Sequence, residues 1–266
     1  MHIGPGTRAL VTGPSRGIGR ALAHALAARG ATLGLASRSA AELGAMAAAL
    51  PGDGHVALEC DVGDRDSVRA AVAAFVQAAG PPDLVVANAG IAHYGLFADI
   101  DVELLERMTR TNWLGTMYTV KETLPHLLRQ RAGHIVIVSS GAGLRSFPEA
   151  AVYGATKAAQ RAFGEALRHE LAGTGVGLTV VFPGEIATSL HDHEHDTMPA
   201  WYRGGPGAAS AATLAVKIVE AVEADAPSLH HPPLVRLLGA VHGLSPRTAD
   251  VMLRRLRGRS AAPRRG

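Results

Sequence analysis

Tyr153 and Lys157 stand four residues apart in "AVYGATKAAQRAF", a segment with helical periodicity, so both side chains project from one helix face. That spacing serves proton transfer. A free phenol titrates at about 10, too high for acid–base work at neutral pH, and a neighbouring ammonium stabilises the phenolate and lowers that value. Ser139 and Ser140 close the apolar run "GHIVIVSS" upstream, and a hydroxyl at the end of a strand can hydrogen bond a carbonyl oxygen. Near the start, "LVTGPSRGIGRALA" sets Gly13, Gly17 and Gly19 between a strand pattern and a helix pattern. Without side chains there, backbone N–H groups can approach a pyrophosphate, whose charge the helix N-terminus favours. Alone, the Tyr/Lys pair reads as an ordinary amphipathic helix; the glycine trio could be a tight turn, but its place between strand and helix argues for a phosphate-binding loop.

Such groups need a scaffold that brings distant segments together. Short apolar runs alternate with helical patterns: "RALVTG", a helix over 18–29, "ATLGLAS", a helix over 39–50, "GHVALECD", a helix over 66–79, "DLVVANAG", a long helix over 101–131, "GHIVIVSS", a helix over 151–172 and "GLTVVFPG". This alternation predicts one doubly wound α/β domain, a central parallel sheet flanked by helices on both faces. After Gly184 the rhythm breaks into an irregular stretch, expected to form a lid near 185–208, before a helix over 209–224. The prolines of "PSLHHPPLVRLL" are expected to prevent continuous helix. Ser245-Pro246 then offers an N-cap and first-turn proline for a last amphipathic helix, with Ala249, Leu253 and Leu256 on one face. The predicted division is a catalytic domain over 1–235 and a basic helix with a frayed tail over 236–266.

Four motifs in order, Thr12-Gly13-x-x-x-Gly17-x-Gly19, Asn88-Ala89-Gly90, Tyr153-x-x-x-Lys157 and Pro183-Gly184, resemble the short-chain dehydrogenase/reductase family over residues 6–225. The resemblance implies a Rossmann-type fold and hydride transfer between a nicotinamide and a carbonyl or secondary alcohol. Tyr153 would be the general acid/base, Lys157 would tune it and bind the nicotinamide ribose, and the family's spacing selects Ser140 to polarise the substrate oxygen. Asn112, in "TRTNWLG", resembles the family's helical asparagine, which holds a water linking the lysine to solvent. By the same resemblance Ser15, Arg16 and Ile18 belong to the cofactor loop, Asp61 and Val62 touch adenine, and Asn88, Ala89 and Gly90 line the adenosine ribose. Pro183, Gly184, Ile186 and Thr188 fit the segment that holds the nicotinamide carboxamide. A homodimer or homotetramer through the two long helices is also implied.

The cofactor's identity turns on the end of the second strand. An NAD-selective fold offers a carboxylate there to the ribose 2′-OH, and that carboxylate repels the 2′-phosphate of NADP. Here the residues are Ser37 and Arg38, with Arg16 in the glycine loop, so two guanidiniums can flank a phosphate and NADP(H) is expected over NAD(H). Reduction of a small-molecule carbonyl is the expected direction. A non-catalytic NADP-binding sensor or scaffold is the alternative, but it would not need Ser140, Tyr153 and Lys157 together. The expected pocket wall, around 93–97, 142–149 and 190–202, includes Tyr94, Gly143, Leu144, Phe147, Met198 and Trp201 and suits an apolar ketone.

The run "HDHEHD", His191–Asp196, offers metal-ligand types in a row. On a strand His191, His193 and His195 share a face and on a helix only the i, i+4 pair does, but no second ligand cluster supports them, so no metal is expected. The one cysteine, Cys60, excludes an internal disulfide, and a cytoplasmic protein is expected from the absence of a basic-then-apolar leader pattern. The net charge of +3 is unevenly spread: residues 236–266 hold eight arginines against Asp250, leaving −4 on the first 235 residues. That tail has no interleaved aromatics to stack bases, so nucleic acid is not expected as a partner. It is expected to pack on the body or a neighbouring subunit rather than on a membrane.

Overall fold

The computed structural model describes residues 1–187 and 209–251. Six strands follow the apolar runs, β1 (Arg8–Thr12), β2 (Thr32–Ser37), β3 (Val56–Glu59), β4 (Leu84–Ala87), β5 (Gly133–Val138) and β6 (Val176–Pro183). Between them lie α1 (Gly17–Ala27), α2 (Ala40–Ala49), α3 (Arg65–Ala79), α4 (Val102–Met108), α5 (Gly115–Gln130) and α6 (Ala151–Glu170). Beyond them come β7 (Ile186–Ala187), β8 (Ala209–Ser210), α7 (Ala211–Glu223), β9 (Ser228–His231) and α8 (Leu234–Leu244). Seven strands make one parallel sheet in the order β3-β2-β1-β4-β5-β6-β9, and β7 pairs separately with β8.

The strands are apolar at nearly every position because both faces are covered. Ala9, Val11, Val86, Val136 and Val138 meet Leu22 and Leu26 of α1 and Leu214, Ile218 and Val222 of α7 on one face. Their neighbours turn the other way, as the two-residue period of a strand requires. Leu10 meets Val68, Val72 and Phe75 of α3, while Val85, Ile135 and Ile137 meet Val120 and Leu127 of α5 and Leu167 of α6. Phe75 lies so close to Gly34 that a Cβ there would sit 2.6 Å from its ring. Parallel strands deliver all their carboxyl ends to one edge, and the order reverses between β1 and β4, which opens a crevice there.

One sequence expectation needs correction. The long helix over 101–131 is not uniform: a π-helical turn, Thr109–Leu114, joins α4 to α5 and carries Asn112. Periodicity over 30 residues does not register one extra residue in a turn. The prolines of "PSLHHPPLVRLL" do interrupt helix, as expected: the residues before them form β9, which extends the sheet beside β6, and α8 starts only after Pro233. Pro233 sits at the helix start, where a missing N–H costs nothing. Helix resumes at Pro246 and is described to Val251; Leu253, Leu256 and the rest of the tail lie outside the described residues.

Candidate active site

At the end of β1, Gly13 and Gly17 have φ of 66° and 55°, which favour glycine. A Cβ on Gly19 would fall inside the contact shell of the Gly13 carbonyl oxygen and of the Asn88 amide. Asn88 clips the loop from below, donating from Nδ2 to the carbonyls of Thr12 (3.0 Å) and Gly13 (3.0 Å). Thr12 Oγ1 in turn accepts from the N–H groups of Asn88 (3.1 Å) and Ala89 (3.2 Å). These bonds give Asn88 a structural task alongside its expected ribose contact. The loop opens α1 with no side chain at 13, 17 or 19, a shape that can hold a pyrophosphate. Ser15 and Ile18 are partly buried in the loop, and Arg16, at the N-cap of α1, is exposed.

Ser37 ends β2 half-buried, and Arg38 beyond it is exposed, so neither arginine is buried in a structural role. Asp61 shapes the turn after β3, with Oδ1 accepting from the Gly63 N–H (2.9 Å). Val62 is buried against Gly115, where a Cβ would meet it at 2.8 Å.

The proton-transfer candidates converge at the ends of β4 and β5. Ser140 caps a short 3₁₀ turn, Gly141–Gly143, accepting from the Ala142 N–H (3.1 Å), and its hydroxyl lies beside the Tyr153 phenol. Ser139 points elsewhere: its Oγ donates to the Lys157 carbonyl (2.8 Å), tying β5 to α6. Ser139 is thus engaged with the α6 backbone, whereas Ser140 is the serine that stands beside Tyr153.

Lys157 Nζ donates to the Val138 carbonyl (3.0 Å) and lies 5.9 Å from the Tyr153 ring centre. Both side chains are 5% exposed. Burial pushes the Tyr153 phenol up, against the hydrogen bond of Ser140, and pulls the Lys157 ammonium down to about 7. In the protein alone the phenol is therefore protonated at neutral pH. A Cβ on Gly90 would stand 3.3 Å from Asn112 Oδ1 and 3.5 Å from Lys157 Nζ, so Gly90 leaves the room that both need.

Asn112 is fully buried, not exposed as a mid-helix asparagine usually is. Its Oδ1 accepts from the Ile91 N–H (2.8 Å), and its Nδ2 donates to the Ile91 carbonyl (2.9 Å) and to Thr156 Oγ1 (3.1 Å). Its own carbonyl accepts from Thr116 Oγ1 (2.8 Å) and Gln160 Nε2 (2.8 Å). Thr156 and Gln160 were not singled out from the sequence, although both lie on the Tyr153–Lys157 helix at turn spacing.

Tyr94 is 1% exposed, stacked on Phe147 (5.8 Å) and edge-on to Tyr153 (5.8 Å), so it fixes the tyrosine's ring rather than lining open space. Gly143 packs under Lys157, where a Cβ would meet its carbonyl oxygen at 2.6 Å. Pro183 ends β6, and the Gly184 N–H donates to the His231 carbonyl (2.7 Å). Ile186 is buried in β7, paired with Ala209. Thr188, Met198, Trp201 and the "HDHEHD" run lie outside the described residues. Among the described residues no three His, Cys, Asp or Glu side chains converge on a metal position, and no helix is long and apolar enough to cross a membrane.

Comparison with known proteins places these features in a wider group. Residues 7–199 match the family described as short chain dehydrogenase. Glycine betaine reductase of Emericella nidulans is 38% identical over 187 residues, 70% of this chain but 15% of that relative's length. The structure is similar to a short chain dehydrogenase/reductase of Burkholderia phymatum in complex with NAD, with a TM-score of 0.81, 25% identity and full coverage of both chains. It is also similar to an alcohol dehydrogenase of Thermococcus sibiricus complexed with 5-hydroxy-NADP, with a TM-score of 0.72, 27% identity, and 84% and 94% of the two chains covered.

Proposed function

The chain belongs to the short-chain dehydrogenase/reductase family, and we propose on that basis that it is an NADP(H)-dependent reductase of a small-molecule ketone or related carbonyl. The observation that carries this reading is the buried Ser140–Tyr153–Lys157 cluster at the sheet edge beside the glycine loop. Gly13, Ser15, Gly17, Ile18 and Gly19 would hold the pyrophosphate, with Asp61, Val62 and Asn88 to Gly90 along the adenosine half and Pro183, Gly184 and Ile186 at the nicotinamide. A bound reduced nicotinamide supplies the hydride to the carbonyl carbon. Ser140 donates a hydrogen bond to the carbonyl oxygen, and Tyr153, protonated at neutral pH, delivers its proton to the same oxygen as charge develops. Lys157, as the ammonium, stabilises the phenolate left behind. Asn112 is a positioning residue, holding Ile91 and the π turn so that Gly90 keeps clear of the lysine.

Preference for NADP(H) is supported by Ser37 in place of an acid and by the exposed Arg16 and Arg38; the Burkholderia neighbour's NAD makes this the point to measure. Initial rates with a panel of apolar ketones should be faster with NADPH than NADH. Arg38→Ala should raise KM for NADPH about ten-fold with little change for NADH. Equal use of both cofactors by the native chain would overturn the preference and leave the reaction intact. A homodimer or homotetramer through α5 and α6 accompanies this reading, and light scattering on the purified chain tests it.

A further inference from the structure

α8 has two different faces. Its inner face packs on the active-site rim: Val235 lies against Gly141 and Gly184, where added Cβ atoms would meet it at 3.2 Å and 2.8 Å, and Gly239 lies against Leu144. Gly141 and Leu144 belong to the turn that follows Ser140. The outer face is apolar. Leu234 (58% exposed), Leu237 (58%), half-buried Val241 and Leu244 (89%) recur at i, i+3, i+7, i+10, one stripe about 15 Å long. Soluble helices carry polar residues at such positions, and here every large residue of the stripe is aliphatic.

Charge decides what covers it. Arg236 and Arg247 are exposed at either end of the stripe. The single acid of residues 236–266, Asp250, is ion paired with Arg145 of the active-site turn. Residues 252–266 hold six more arginines and no acid. Beside α8, a cavity of about 190 Å³ between α6, β6 and β9 is lined by Arg161, Arg168, Phe182, Ser228 and His230 and bordered by Leu144. Arg161 is paired there with Glu165, and Arg168 has no ion pair among the described residues. A second copy of this chain seated on the stripe would bring two strongly basic segments together. An anionic bilayer offers the opposite sign and an apolar layer for the leucines.

We propose that α8 is an interfacial helix, docking this protein on an anionic lipid bilayer with the Leu234–Leu237–Val241–Leu244 stripe immersed and Arg236 and Arg247 at the headgroups. The docked face is one helix thickness, about 10 Å, from the turn after Ser140, so the active-site rim would lie at the membrane surface. The inference does not depend on which carbonyl is reduced.

The test is co-sedimentation of the full chain with vesicles of phosphatidylcholine alone and of an equal mixture with phosphatidylglycerol, alongside the double variant Leu237→Asp/Leu244→Asp. Both leucines lie outside the core, and circular dichroism with nicotinamide binding checks that the variant is folded. The native chain should pellet with the anionic vesicles and not with phosphatidylcholine alone. Binding should weaken as salt is raised, and the folded variant should bind roughly ten-fold less or worse. Unchanged binding by the variant would overturn the proposal, leaving the arginines as the sole anchor or the tail's own leucines as the cover of the stripe. So would failure of the native chain to bind anionic vesicles, or a variant that falls from a larger oligomer to a smaller one, which would make the stripe a subunit interface.

Discussion

At the scale of single residues, burial without a partner charge governs the site. Among the described residues no carboxylate stands beside Lys157, and desolvation of its ammonium brings its pKa down to about 7. Reduction needs that ammonium, since the phenolate left by Tyr153 is stabilised by it. The kcat/KM for the nicotinamide cofactor reports groups of the free enzyme and should therefore fall as pH rises through about 7, with the limb lost in Lys157→Met along with most activity. A profile flat from about pH 6 to pH 9 would separate Lys157 from the rate. The adjacent serines give a sharper contrast. Ser139→Ala removes a buried bond to the α6 backbone and should cost about 1–2 kcal/mol of stability with turnover largely kept. Ser140→Ala orphans the Ala142 N–H and should cost a similar amount of stability, but it should also cut turnover sharply, as thermal denaturation and steady-state rates on the same samples would show.

At the scale of elements, the π turn is where local structure sets the chemistry. It turns Asn112 inward to clamp both backbone groups of Ile91, which fixes Gly90 beside Lys157. Asn112→Ala would orphan the buried Ile91 N–H and destabilise the protein by about 1–3 kcal/mol. Because it acts through position, it should lower kcat more than it raises KM, and Asn112→Asp should restore part of the stability by accepting from Ile91. Alternating apolar runs make β1–β6 and α1–α3 legible from sequence, because a sheet buried on both faces leaves a plain signal. The motif spacing located Gly13, Gly17, Gly19, Ser140, Tyr153 and Lys157 within elements of the expected type. The π turn was not legible, since one extra residue shifts helical phase too little for a hydrophobic pattern to register. Nor was β9: "SLHH" has neither β-branched residues nor alternation, and it pairs because β6 presents an open edge.

At the scale of the whole molecule, the sheet's two edges differ in function and in acid response. The carboxyl edge holds the candidate site, whereas His134, at the opposite end of β5, is 1% exposed and bridges β5 to β6 through Thr179 Oγ1 (2.8 Å). Burial lowers its pKa to about 4, with Asp225, at 3.6 Å, opposing that shift. The folded protein thus keeps His134 neutral while the unfolded chain protonates near 6.5, so stability is fully present above about 6.5 and is lost as pH falls towards 4. The loss should reach about 3 kcal/mol, read as a falling urea midpoint, and His134→Gln should flatten that dependence. The proposed reduction rests on all of this scaffolding. The measurement that tests it most directly is a single turnover, in which NADPH-loaded protein is mixed with an apolar ketone and nicotinamide oxidation is followed in the native chain and in Tyr153→Phe. The account predicts a rate lower by roughly 10²–10⁴-fold in the variant, with NADPH binding unchanged by fluorescence titration. A variant that oxidises NADPH at the native rate would contradict it.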